Sequence, residues 1–452
     1  MDADSLHLLR AKITEQLRDS TPIFEESCEP YIIDDKKPEL VIAPSDTQQI
    51  AAIMESAHSS CAGVIPWGGG TKIATGNLPT RYDIALDVRN LNSLKEYEPT
   101  ELLVIAGAGM TLSKLNEALA EHNQFLPLNP PHSEKTTIGG ILASNAYGYL
   151  RDTCGTARDM TLGLRFVRSD GTQVKGGGKV AKNVAGYDLT RLLIGSWGTL
   201  GIITEVSLRV RPVPEKQTTV IAGFNKLSSA VDAAFEILNS YFAPTFMIIL
   251  NRALAGKITE QMNIDIRNDV YLLVIGVDEL EDTVHWQVDN IKRVCQQNHV
   301  FMYDVLPDDA VLQARNTLRD YPSAEYSGAV CKIAATKTGV VNLLNFLQDT
   351  KSHTNFSIEI LSYFGSGIVY ILIPFSAACD DSFKNEVKEF VIKLRLFAEE
   401  HGGFCTMEHA PVWLKKQVPV WSGFPGETIM RKLKKQFDPN NILNPDRFIR
   451  QT

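Results

Sequence analysis

The chain has 452 residues, 44% of them hydrophobic and 22% charged, which is too long for one ordinary core and too well mixed for a disordered protein. Two domains are therefore expected. A formal net charge of −8 excludes the basic footprint of a nucleic-acid binder. Cys28, Cys61, Cys154, Cys295, Cys331, Cys379 and Cys405 are odd in number and show no CxxC spacing, which predicts reduced thiols in a cytoplasmic protein and excludes a self-contained iron–sulfur cluster of the usual spacing.

The N-terminus, MDADSLHLLRAKITEQL, carries acidic residues where a secretory signal needs basic ones and has no apolar centre. It reads as an amphipathic helix followed by a polar link to about residue 30. No apolar run approaches the roughly 20 residues that span a bilayer. From Pro38 the pattern is βαβ-like: a strand at Leu40 to Ile42, a helix capped by Asp46 with Ile50, Ile53 and Ala57 on one face, and a second strand from Gly63 to Pro66. Ile84, Leu86 and Val88 alternate as a strand, Leu102 to Ile105 form another, and Thr111 caps a helix through Leu112, Leu115, Ala118 and Leu119. Arg211-Pro-Val-Pro214 cannot continue a helix and marks a domain edge.

Beyond it, strand candidates at 218–222, 246–250, 270–275 and 330–333 alternate with helix candidates at 228–238, 278–297, 309–318 and 337–348. Ile358 to Leu361 and Ile368 to Ile373 enclose a hairpin turn at Gly365-Ser-Gly367. A long helix from Ser382 to about Glu400, a further helix at 427–436 and a rigid segment from Phe437 to Pro445 complete the chain. The second half reads as an α+β sheet covered by helices.

Three glycine-rich turns sit beside strands in the first half. Trp67, Gly68, Gly69, Gly70 and Thr71 form the first, Thr136 to Gly140 the second, and Gly195, Gly198 and Gly201, leading into Ile202-Ile203-Thr204, the third. Successive N–H groups freed by glycine converge into a nest that binds pyrophosphate oxygens, and the Thr71 hydroxyl adds a donor. Neither Lys72 nor Lys179 stands in a nucleotide-triphosphate loop. Gly107-Ala-Gly109 follows a strand but lacks the third glycine and the acidic ribose ligand of a Rossmann fingerprint, so an ordinary tight loop is an equal reading. Together the turns point to a large phosphate-bearing cofactor held by main chain.

Pro66 to Thr71, Thr136 to Gly140, and KNVAGYDLT from Lys182 to Thr190 with IGSWGTLGIIT from Ile194 to Thr204 resemble the flavin domain of the vanillyl-alcohol oxidase/p-cresol methylhydroxylase superfamily. Within it the chain is similar to the FAD-linked 2-hydroxy-acid dehydrogenases, most of all glycolate oxidase. The resemblance implies an α+β fold, a two-part FAD-binding domain of the p-cresol methylhydroxylase type with a cap of helices over an antiparallel sheet. The expected division is 1–34, an N-terminal helical segment; 35–214, the FAD-binding domain; 215–400, the cap; and 401–452, a segment returning to the FAD domain.

By position, the resemblance places Trp67, Gly68, Gly69, Gly70 and Thr71 at the pyrophosphate and Thr137, Gly139 and Gly140 at the phosphates and flavin edge. Asn145 and Gly148 lie along the same loop, and Gly198, Gly201 and Ile203 pass the adenosine portion and pyrophosphate. Asn444 either returns to close the site or is an exposed turn asparagine. Cys154 reads as a buried thiol rather than a flavin tether, so non-covalent FAD is expected.

The hydroxy-acid members add a base and a divalent metal, from a His-x₆-His pair followed by a Glu-His pair. Here the cap and tail hold only His285, His299, His353, His401 and His409, without that spacing. Glu408-His409 is a remnant of the pair or a solvated histidine, with His409 a weak catalytic candidate, and Arg315, Arg319 or Lys332 bind a carboxylate or are surface cations. No metal is expected. The absence matches the member of the glycolate-oxidase assembly that carries the flavin domain without the catalytic cluster. This implies a second FAD-linked subunit, an iron–sulfur electron-transfer subunit, a small 2-hydroxy acid, and membrane contact only through a partner. The N-terminal extension and a larger cap depart from that pattern and leave room for a different partner or substrate. A self-sufficient D-lactate or glycolate dehydrogenase, and a structural subunit that binds FAD without turnover, are the alternatives.

Overall fold

Asp46 opens the first helix as its spacing requires: the side chain accepts the Gln49 amide at 2.9 Å, and Thr47–Ser59 follows with Ile50, Ile53 and Ala57 buried. The computed structural model describes residues 3–17, 23–24, 27–179, 186–262, 264, 269–323, 326–350, 354–376 and 379–449. The chain divides into two units. One comprises 1–147, 155–212 and 423–452, and the other 148–154 and 213–422.

In the first unit Thr47–Ser59 is a crossover. It connects Leu40–Ala43 to Val64–Trp67, and both strands lie parallel on either side of Ile84–Asp87. The middle strand is buried along its whole length, as parallel strands covered on both faces must be. A second, antiparallel sheet runs in the order Leu94–Glu98, Leu103–Gly107, Ile202–Arg209, Thr161–Val167, Gln173–Gly177. Thr111 caps Leu112–Ala120 by accepting the Lys114 amide at 3.4 Å. The helix buries Leu112, Leu115 and Leu119 in the same core as Leu164, Val206 and Leu208.

In the second unit eight antiparallel strands form one sheet. Its order is Met302–Val305, Lys216–Phe224, Tyr271–Glu279, Phe246–Leu250, Glu359–Tyr363, Ile368–Pro374, Gly328–Ala334, Phe404–His409. Helices Leu227–Leu238, Glu281–Gln297, Lys337–Thr350 and Asp381–Glu400 cover one face, where Val220, Met247, Ile275, Cys331, Ile371 and Met407 join the core. The helix expected from residue 278 starts at Glu281, because Asp278 and Glu279 extend the strand that pairs with Lys216 and Gln217. Additional to the expected set are helix Arg252–Gln261, capped by Asn251, the short helix Val412–Lys415, and the two edge strands Met302–Val305 and Phe404–His409.

Candidate functional site

The first glycine turn leaves the end of Val64–Trp67 and lies on the second. A side chain at Gly68 would collide with the Thr137 hydroxyl, and one at Gly69 with the Lys135 carbonyl. The Thr71 and Thr136 hydroxyls are 3.0 Å apart. Gly70 has φ +72°, a conformation that costs glycine nothing. The Trp67 ring packs edge-on against Tyr31 at 5.0 Å and lies against Gly70, where a Cβ would stand 3.3 Å from the indole. Thr137 caps Ile138–Ser144 by accepting the Gly140 amide at 3.3 Å, and the Gly139 amide donates to the Ala108 carbonyl at 2.8 Å.

The third turn closes on the far end of that short helix. The Gly195 and Trp197 amides donate to the Leu142 and Ala143 carbonyls, at 2.9 and 2.7 Å. Asn145, which ends the helix, and Trp197 both take left-handed conformations, with φ 48° and 55°. The tail arrives at the same place. The Val64 amide donates to the Ile442 carbonyl (2.7 Å), the Asn444 amide donates to the Val64 carbonyl (2.8 Å), and the Asn444 side-chain amide donates to the Trp197 carbonyl. Gly198 faces Pro66 and Asn444, where a side chain would meet both. Asn444 is therefore no exposed turn residue.

A buried ion pair holds the tail in this course. Lys434 donates to the Thr199 carbonyl of the third turn (3.0 Å), to the Leu443 carbonyl (2.8 Å) and to Asp438. Asp438, fully buried, also accepts the Ile442 and Leu443 amides at 3.0 and 2.8 Å. Burial pulls the Lys434 ammonium below its ordinary value, against the attraction of Asp438.

Among the described residues, Asn145 Oδ1, Ser196 Oγ and Asn444 Oδ1 are buried without a hydrogen-bond partner within the chain. Each such atom costs roughly 1–3 kcal/mol unless a ligand satisfies it. Orphaned polar atoms where three main-chain turns and the tail meet fit a large polar cofactor such as FAD. Gly107 and Gly109, by contrast, are glycine for packing, since side chains there would strike the Leu91 and Val88 carbonyls. Gly201 is pressed against Phe166, and Ile203 is registered opposite it in the neighbouring strand. Gly148 begins the short segment that belongs to the second unit, and Cys154, buried, ends it. Lys182 to Ala185 lie outside the described residues.

The other face of the eight-stranded sheet holds polar residues. Lys332 is registered opposite Tyr370 on one side and Thr406 on the other. One extra residue on Phe404–His409 lies between the pairs Cys331–Met407 and Val330–His409, so His409 stands opposite Val330, on the Lys332 face. Glu408, 6% exposed, pairs with Lys332. The Tyr363 and Tyr370 rings meet edge-to-face at 5.5 Å. The remaining carboxylate-binding candidates are engaged: Arg315 forks onto Asp278 and donates to Thr219 and to the Thr218 carbonyl, while Arg319 pairs with Asp320.

His285 lies 3.8 Å from Glu281 on an exposed helix face, and His401 stacks on Phe397. His353 lies outside the described residues. Among the described residues, no group of three or more His, Cys, Asp or Glu side chains is placed to hold a metal ion. The donor set does not fit the divalent metal of the hydroxy-acid members.

Residues 38–177 match the family described as FAD binding domain, and residues 213–448 match the C-terminal domain of FAD linked oxidases. Glycolate oxidase subunit GlcD of Bacillus subtilis is 27% identical over 428 residues, covering 90% of this chain and 88% of that protein. D-lactate dehydrogenase of Archaeoglobus fulgidus is 26% identical, with 91% of each chain covered. Glycolate oxidase subunit GlcE of Escherichia coli is 45% identical over 130 residues, 28% of this chain and 37% of that one. Among solved structures, p-cresol methylhydroxylase aligns with a TM-score of 0.76 at 14% identity, covering 99% of this chain and 97% of its own. Among the described residues, no helix is long and apolar enough to cross a membrane.

Proposed function

The chain belongs to the FAD-linked oxidases, and from that membership we propose that it is the FAD-binding subunit of a glycolate-type 2-hydroxy-acid dehydrogenase complex, handing electrons to an iron–sulfur partner subunit. The observation that carries the reading is the mismatch between two sites. The turns at Gly68–Gly70, Thr137–Gly140 and Gly195–Gly198 converge with Asn444 on unsatisfied polar atoms, while the cap's Glu408 is held by Lys332 and, among the described residues, no metal-holding group accompanies it. The short, high-identity match to GlcE, beside the full-length match to GlcD, agrees with a chain that shares its work with other subunits.

FAD, when bound, supplies the two-electron acceptor. The chain's part is to hold it: main-chain N–H groups from Trp67 to Thr71 at the pyrophosphate, and Thr137, Gly139 and Gly140 at the phosphates and flavin edge. Asn145 and Gly148 lie along the flavin loop, Gly198, Gly201 and Ile203 along the adenosine side, and Asn444 closes the tail over them. We assign non-covalent FAD, a cytoplasmic protein, membrane contact only through a partner, and a division at about residues 34 and 214, with the returning segment starting at 423 rather than 401 because Phe404–His409 belongs to the cap sheet. A self-sufficient D-lactate or glycolate dehydrogenase is the second reading, favoured by the bulge that turns His409 toward the Lys332 face.

Anaerobic mixing of the purified, FAD-loaded chain with glycolate or D-lactate separates the two. Slow or absent flavin reduction, with His409→Ala changing the rate less than tenfold and added divalent metal giving no rescue, is expected. Turnover at ordinary enzyme rates that falls roughly a hundredfold or more in His409→Ala, the usual loss of a general base, overturns the subunit reading.

A further inference from the structure

The resemblance implies a divalent cation and a base drawn from a His-x₆-His pair and a Glu-His pair, and the fold shows which residues stand at that spacing in this chain. The six-residue interval of the histidine pair is spanned across the Gly365–Gly367 turn by Tyr363 and Tyr370, whose rings are in contact. Tyr370 is the register partner of Lys332, so their side chains leave the same face of the sheet at neighbouring positions. Lys332 in turn pairs with Glu408, the carboxylate of the Glu-His pair. Tyr363, Tyr370, Lys332 and Glu408 thus form one continuous chain of neighbours, all but Lys332 buried.

We propose that this cluster is a former divalent-metal site in which the Lys332 ammonium has taken the place of the cation. The physical argument has two parts. A buried carboxylate requires a positive partner, and Lys332 satisfies Glu408 with one charge where a metal ion supplied two. Tyrosine hydroxyls remain protonated near neutral pH and do not replace imidazole as ligands for a borderline metal. A dication approaching Glu408 therefore meets one carboxylate already engaged, two phenols, and the repulsion of an ammonium in contact with the ligand it needs. The site is closed to metal by charge as well as by ligand loss. The inference rests on the subunit reading for its biological sense, since a chain without the metal leaves hydroxyl activation to a partner.

The test uses the full FAD-loaded chain dialysed against Zn²⁺ or Mn²⁺ and then against metal-free buffer, with bound metal measured by elemental analysis. Wild type is expected to retain none. Lys332→Met combined with Tyr363→His and Tyr370→His is expected to retain about one ion per chain, as a three-ligand site with an open position does, and adding Glu408→Gln is expected to remove it. With Lys332 kept, Tyr363→His/Tyr370→His should bind at least about tenfold more weakly than the triple variant, the effect of a like charge beside the ion.

Equal affinity of the double and triple variants, or a folded triple variant that holds no metal, overturns the proposal. So does wild type that keeps a stoichiometric ion released by Glu408→Gln, and this result decides by itself if the triple variant fails to retain FAD. Turnover of the isolated chain, measured separately, bears on the subunit reading and leaves the metal result standing.

Discussion

Gly69 carries more consequence than its size suggests. The backbone at this position lies against the Lys135 carbonyl, so any Cβ forces the first turn off the second. Gly69→Val is expected to purify without flavin and to take up none on incubation with FAD. Retention of full FAD occupancy would place the pyrophosphate elsewhere. Asp152 offers a pH readout in the second unit. Burial raises its carboxyl from 3.8 to about 6, and among the described residues both of its oxygens are buried without a hydrogen-bond partner. A raised folded-state value means that the folded chain binds this proton more tightly. The contribution is present in full below about pH 4 and is lost as pH rises through about 6, on the order of 3 kcal/mol at two pH units of displacement. Denaturant unfolding at pH 5 and pH 8 should therefore show a fall in stability that Asp152→Asn largely removes. An identical pH dependence in the two proteins would mean that Asp152 titrates as an ordinary surface acid.

At the scale of elements, the return of the tail depends on Lys434 and Asp438. Removing one member of a buried, hydrogen-bonded ion pair costs about 3–5 kcal/mol, because the other is left charged and unpaired. Lys434→Met is expected to lower stability by that order and to weaken FAD retention, since Asn444 is held against Trp197 by the same segment. Unchanged FAD affinity at reduced stability would separate the clamp from the cofactor site. The glycine turns and capped helices were legible in the sequence because their causes are local: Asp46 and Thr111 accept amides three residues on, and glycine density marks close approach. The strand Phe404–His409 was not, since an edge strand of mixed polarity is defined by its partner at Gly328–Ala334 rather than by its own pattern. Helix Arg252–Gln261 carries Gly256 in its middle, which masks the helical signal. Lys332 stood among the carboxylate-binding candidates by residue type alone. Only strand register brings it to Glu408, and tyrosines at 363 and 370 carry no chemical signal until that register is known.

For the whole molecule, the order of synthesis and the order of assembly disagree. The first unit is completed by three separated stretches, 1–147, 155–212 and 423–452, and the strand Val64–Trp67 receives its last neighbours only from Ile442 and Asn444. More than two hundred residues of the second unit leave the ribosome between the third glycine turn and the segment that closes over it. Such non-local closure is slow and leaves an unpaired strand edge waiting. A nascent chain halted before residue 423 is expected to hold a folded cap beside a flavin domain that does not retain FAD in a pull-down of stalled complexes, whereas release of the full chain restores uptake. Cofactor loading is then a post-translational event, and chains halted before the tail is made are the ones whose edge at Val64 is open to pairing with one another.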